Sequence, residues 1–89
     1  MLGSPIYMAP EVLKGESYTS KADIWAIGVL LYEMLYGVCP YQSNSIAMLI
    51  NTIDNRSVTI PSDIPVSDKT KKLILRMLTK DFYRRIGWA

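Results

Sequence analysis

At 89 residues, 49% of them hydrophobic and 20% charged, the chain has the composition of a single small globular domain, which excludes disordered and fibrous classes. With no histidine and one cysteine, Cys39, it cannot assemble a Ser-His-Asp or Cys-His catalytic set, an internal disulfide or a zinc site. The net charge of +2 is unevenly spread: residues 1 to 65 carry three cations and six anions, residues 66 to 89 seven cations and two anions.

The chain opens on "GSPIYMAPEVL", Gly3 to Leu13. Pro5 and Pro10 fix φ and remove donors, and Gly3 admits conformations closed to other residues, so a shaped loop is expected. Glu11 then starts a short apolar turn. No basic region followed by a long apolar run is present, so no signal peptide is expected and a cytoplasmic setting is the default, a nuclear one remaining open.

"KGESYTS", Lys14 to Ser20, reads as a surface connection that delivers a helix start at Thr19 or Ser20, with Ser20 and Asp23 spaced like a capping box. "DIWAIGVLLYEMLY", Asp23 to Tyr36, is apolar on every face with Glu33 its only later charge, which predicts a helix over 20–36 buried all round. It is too short for a membrane span, and Gly37 followed by Pro40 marks its end. Cys39 has two readings, a small buried apolar residue or a reactive thiol; the absence of an adjoining basic group favours the first.

A second helix is expected over 44–55, capped by Ser43 or Ser45, with Ile46, Leu49, Ile50 and Ile53 forming an apolar stripe. Two prolines make 56–67 extended or turning, with at most a strand-like piece at Val58 to Ile60. A third helix is expected over 67–79, its stripe made by Leu73, Ile74, Met77 and Leu78 and its first turn stapled by Val66. The cations of this region, Lys69, Lys71, Lys72, Arg76, Lys80, Arg84 and Arg85, form either a phosphate-binding stripe or a solvated face. No aromatic residues interleave the lysines, which argues against nucleic acid. The fold class expected from these elements is mainly α.

Three features stand in fixed order: Ala9-Pro10-Glu11, then Asp23, Trp25 and Gly28 as D-x-W-x-x-G, then Asp81 and Arg85 as D-x-x-x-R. Together they resemble the protein kinases of serine/threonine type, and among these the chain is most similar to the autophagy-initiating, unc-51-like subfamily. The resemblance covers essentially the whole chain. It implies an incomplete kinase-like fold, the helical lower portion of the C-terminal lobe. Its parts would be the end of the activation segment (1–13), a buried scaffold helix (20–36), an amphipathic helix (44–55), a basic helix (67–79) and a truncated end (80–89).

The resemblance further implies that Ser4, Pro5, Ile6 and Tyr7 face the protein substrate, with Ser4 keeping a hydroxyl where the family usually has threonine. Glu11 is either a carboxylate favouring its helix dipole or a buried partner for Arg85. Asp23 is either a helix-start cap or an acceptor for backbone of the catalytic loop, and Trp25 is core packing. Phe82 replaces the family's usual proline, which implies a looser turn before Arg85.

No glycine pair forms G-x-G, and no H-R-D occurs; Asp81-Phe82-Tyr83 imitates D-F-G but follows A-P-E and lacks the glycine. No catalytic, nucleotide-binding or metal-binding residue is therefore expected in this chain. ATP and Mg²⁺ are implied for an intact kinase, with a protein substrate and the rest of the kinase domain as partners. A non-catalytic binding module or a pseudokinase piece is the alternative.

Overall fold

The computed structural model describes residues 4 to 87. The expectation for Gly3, and the last two positions of the 80–89 segment, lie outside the described residues. Pro5–Tyr7 form one 3₁₀ turn, closed by the Tyr7 N–H on the Ser4 carbonyl and the Met8 N–H on the Pro5 carbonyl, both at 3.0 Å. A short helix, α1 (Pro10–Leu13), follows, with proline at its first position where a missing N–H costs nothing. Gly15, at φ +72°, then turns the chain in a conformation that side-chain-bearing residues avoid.

The long helix, α2 (Ser20–Tyr36), is capped by Thr19, whose hydroxyl accepts the Lys21 N–H at 3.2 Å. The expected Ser20–Asp23 capping box is not formed. Thr19 is the residue with extended backbone and Ser20 is already helical, so only Thr19 can cap. Gly37, at φ +78°, ends the helix and returns its N–H to the Glu33 carbonyl at 2.8 Å.

Helix α3 (Ile46–Asn55) starts at Ile46 rather than at 44, because Ser45 is the extended residue and its hydroxyl accepts the Met48 N–H at 3.2 Å. Leu49 and Ile53 are buried, whereas Ile46, in the first turn, reaches past the edge of the core and is half exposed. Helix α4 (Asp68–Met77) is capped by Ser67, whose hydroxyl accepts the Thr70 N–H. Its buried residues are Ile74 and Met77, with Leu78 just beyond its end, and Leu73 falls outside the expected stripe because Ile74 centres the packed face.

Between these helices, no strand occurs among the described residues: the Val58 to Ile60 segment has no neighbour to pair with. Side chains of the core hold it instead. The Tyr32 hydroxyl donates to the Thr59 carbonyl at 2.6 Å and the Tyr41 hydroxyl to the Arg56 carbonyl at 3.0 Å. Val58, Ile60, Ile64 and Val66 rest against the cluster of Trp25, Val29, Tyr32, Tyr41, Leu49, Ile53 and Ile74.

Helix α2 is the axis of the molecule, packed against α4 and the 3₁₀ turn, while α1 packs against α3. At Gly28 the α2 and α4 chains come so close that a Cβ would lie 2.9 Å from that of Met77. The expectation that α2 is buried all round does not hold. Ile27 is 38% and Met34 81% exposed, because α4, the turn and the 56–66 segment cover only part of its circumference.

Candidate functional site

The residues singled out by sequence, Asp23 apart, fall into two groups joined by α2. The first is the 3₁₀ turn carrying Ser4, Pro5, Ile6 and Tyr7. Ser4, Pro5 and Ile6 line one side of an open groove of about 210 Å³ whose other side is Asn44, Ile46 and Leu49. All eight residues bordering this groove are uncharged.

Tyr7 turns inward. Its hydroxyl donates to Oε1 of Glu33 at 2.6 Å, and the thiol of Cys39 lies 3.4 Å from Oε2 of the same carboxylate. The hydrogen bond to Glu33, with burial behind it, pushes the Tyr7 hydroxyl up to about 12. Glu33 is held below its usual range by the Tyr7 bond first and the Cys39 contact second. Burial, then the Glu33 bond, raises the Cys39 thiol, so it is a packed residue and not a thiolate nucleophile. Thus the one carboxylate in the apolar part of α2 fixes the base of the turn.

The second group is an anchor. Glu11 and Arg85, 74 positions apart, meet in a two-bond pair, Nη1 to Oε2 at 2.7 Å and Nη2 to Oε1 at 2.9 Å, with both residues buried. The remaining Arg85 donors reach the carbonyls of Thr79 at 2.9 Å, Lys21 at 2.9 Å and Lys80 at 3.4 Å. Trp25, buried, places its ring 5.1 Å from the Arg85 guanidinium and stacks on Tyr41. Glu11 also stands in the first turn of α1, so both of its expected readings describe the same side chain.

The turn leading to Arg85 is closed despite Phe82. Asp81 accepts the Tyr83 N–H on its side chain at 2.9 Å and the Arg84 and Arg85 N–H groups on its carbonyl at 3.0 Å. Asp81 therefore shapes a turn. Lys21 ties the same turn to α2 by donating to the Phe82 carbonyl at 3.1 Å.

Asp23 joins neither group. It is exposed, accepts from the Tyr18 hydroxyl, and borders an apolar cleft of about 400 Å³ lined also by Tyr7, Met8, Ala9 and Ile27. Among the described residues no cluster of three or more His, Cys, Asp or Glu side chains is gathered to hold a metal.

The family model described as protein kinase domain matches residues 1–89. The chain belongs to the protein kinase family. The serine/threonine-protein kinase atg1 of Dictyostelium discoideum is 45% identical over 86 residues, covering 97% of this chain and 13% of that protein. Phototropin-2 of Oryza sativa subsp. japonica is 44% identical over 86 residues, covering 97% of this chain and 10% of its own length. The atg1 kinase of Penicillium rubens is 39% identical over 90 residues, with 99% and 9% covered. The chain thus spans about a tenth of the length of these relatives. Its helices are those of the helical lower portion of a kinase C-terminal lobe.

The family implies ATP and Mg²⁺ for an intact kinase. Sequence reasoning missed Glu33 as the tether of Tyr7. Its signal was present, since a lone carboxylate in an apolar helix needs a partner. No described helix is long and apolar enough to cross a membrane.

Proposed function

We propose that this chain supplies the substrate-facing platform and its scaffold to a serine/threonine protein kinase, which transfers the γ-phosphoryl group of ATP to protein hydroxyls. The observation that carries this reading is the joint arrangement of the turn and the anchor. Pro5 and Ile6 border an uncharged groove while Tyr7, locked to Glu33, fixes the turn from below. The Glu11–Arg85 pair holds the segment that follows the turn against the end of the chain. A peptide crossing this floor would be positioned by apolar contact with Ile6, and the Ser4 hydroxyl would bond to the catalytic groups of the rest of the domain. Positioning is the larger part of what a protein contributes to phosphoryl transfer.

Transfer is tested on the intact protein with ATP, Mg²⁺ and a mixed Ser, Thr and Tyr peptide pool. Phosphoserine and phosphothreonine are expected, without phosphotyrosine. Ser4→Ala should lower kcat/KM about ten- to a hundredfold, the size of one lost hydrogen bond to a charged group, with stability unchanged. An intact protein that transfers no phosphate would instead support the reading of a non-catalytic binding module or a pseudokinase.

A further inference from the structure

Helix α4 carries a face that the kinase reading does not use. Lys69, Lys72 and Arg76, at i, i+3 and i+7, fall within a sector about 60° wide, on the side of the helix opposite buried Ile74. All three are exposed and among the described residues neither ion pair involves them; exposed Asp68, four positions before Lys72, is the one anion of the helix, against three cations on this face. The stripe is flanked on its two sides by Leu73 and Leu75, 44% and 42% exposed. Arg76, in the last turn, suits the helix dipole, whereas Lys69, in the first turn, opposes it and repels Lys72, so an external anion would offset charge that the helix itself does not.

The shape of this face narrows the partner. It is a convex helix surface, and the clefts of about 400 and 210 Å³ lie between residues 4 and 49, away from it. No ring lies among the cations for a base to stack on, so single-stranded nucleic acid has no platform here. A row of cations bordered by aliphatic side chains suits a flat anionic layer, whose headgroups meet the charges while the leucines approach the interface. We infer that the Lys69–Lys72–Arg76 face of α4 docks the protein on an anionic lipid surface. The inference is independent of phosphoryl transfer and stands whether or not the intact protein is active.

Cosedimentation of the intact protein with vesicles tests it. Phosphatidylcholine vesicles containing about 30% phosphatidylserine should retain the protein, pure phosphatidylcholine should not, and retention should fall as salt rises from about 0.05 to 0.5 M. The variant Lys69→Gln, Lys72→Gln, Arg76→Gln should bind about a hundredfold more weakly, about fivefold for each cation. Its circular dichroism should be unchanged, since all three side chains are exposed. Equal retention by neutral vesicles, or wild-type binding by the triple variant, would overturn the inference. Binding to polyglutamate or RNA without binding to anionic vesicles would overturn it as well, by giving the face to a different partner.

Discussion

Arg85 shows how much one side chain can hold when all of its donors are used. Its guanidinium closes on Glu11 and on three carbonyls from two separate segments, with Trp25 against its face. Removing Glu11 leaves that charge buried without its counterion, so Glu11→Ala should lower the unfolding free energy of the intact protein by about 3–5 kcal/mol in urea titration. Arg85→Lys should also destabilise, because an ammonium cannot make the forked pair. A loss below about 1 kcal/mol for Glu11→Ala would mean the pair does not carry the packing.

The Tyr7–Glu33 bond makes a prediction in pH. Tyr7 keeps its proton to higher pH in the folded chain than in the unfolded one. Its contribution is complete below 10.0 and is lost as pH climbs towards about 12. Glu33, held below 4.5, contributes above that value and loses the contribution as pH falls through its lowered pKa. Melting profiles of wild type and Tyr7→Phe should therefore converge at both extremes and separate between them. Parallel profiles across the whole range would contradict the linkage. The Tyr36 hydroxyl differs, being buried without a partner among the described residues. Tyr36→Phe should leave stability unchanged or raise it by about 1 kcal/mol.

At the scale of elements, the α2–α4 crossing turns on Gly28. A methyl group there meets the Cβ of Met77 at 2.9 Å and Leu78 at 3.1 Å, which neither helix can yield without moving its backbone. Gly28→Ala should destabilise the intact protein by about 1–3 kcal/mol, read from its denaturation midpoint, and an unchanged midpoint would show that the helices can part freely. The helices themselves were legible because their signals are local. Leu49 and Ile53, or Ile74 and Leu78, lie one turn apart, and Gly37 with Pro40 after a long apolar run is a helix-stop signal. What was not legible needed partners from elsewhere in the chain. Whether Ser20 or Thr19 caps α2 depends on which backbone is extended, and whether Leu73 is covered depends on how α4 rolls against α2. Glu11 and Arg85 were expected together only through family resemblance, since a pair separated by 74 positions leaves no periodic trace. Tyr7, Glu33 and Cys39 went unconnected for the same reason.

Across the whole molecule, the radius of gyration of 12.4 Å is that of a compact chain, close to the about 12 Å expected for this length. Yet Ile27 and Met34 expose one side of α2, and Ile27 also lines the apolar cleft with Tyr7 and Ala9. A core helix with an uncovered apolar side is an aggregation hazard. The 89-residue chain by itself is expected to bind a hydrophobic dye and to melt without a sharp transition. A cooperative melt of a monomer would show instead that the described contacts suffice.

The most direct test of the substrate platform is a positional peptide library scored on the intact protein and on its Ile6→Lys variant. If Ile6 is the floor under the residue that follows the phosphorylated hydroxyl, the variant should shift its preference at that one position from apolar to acidic residues, with other positions unaltered. The same preference from both proteins would contradict the account, because the turn would then hold its shape without touching the substrate.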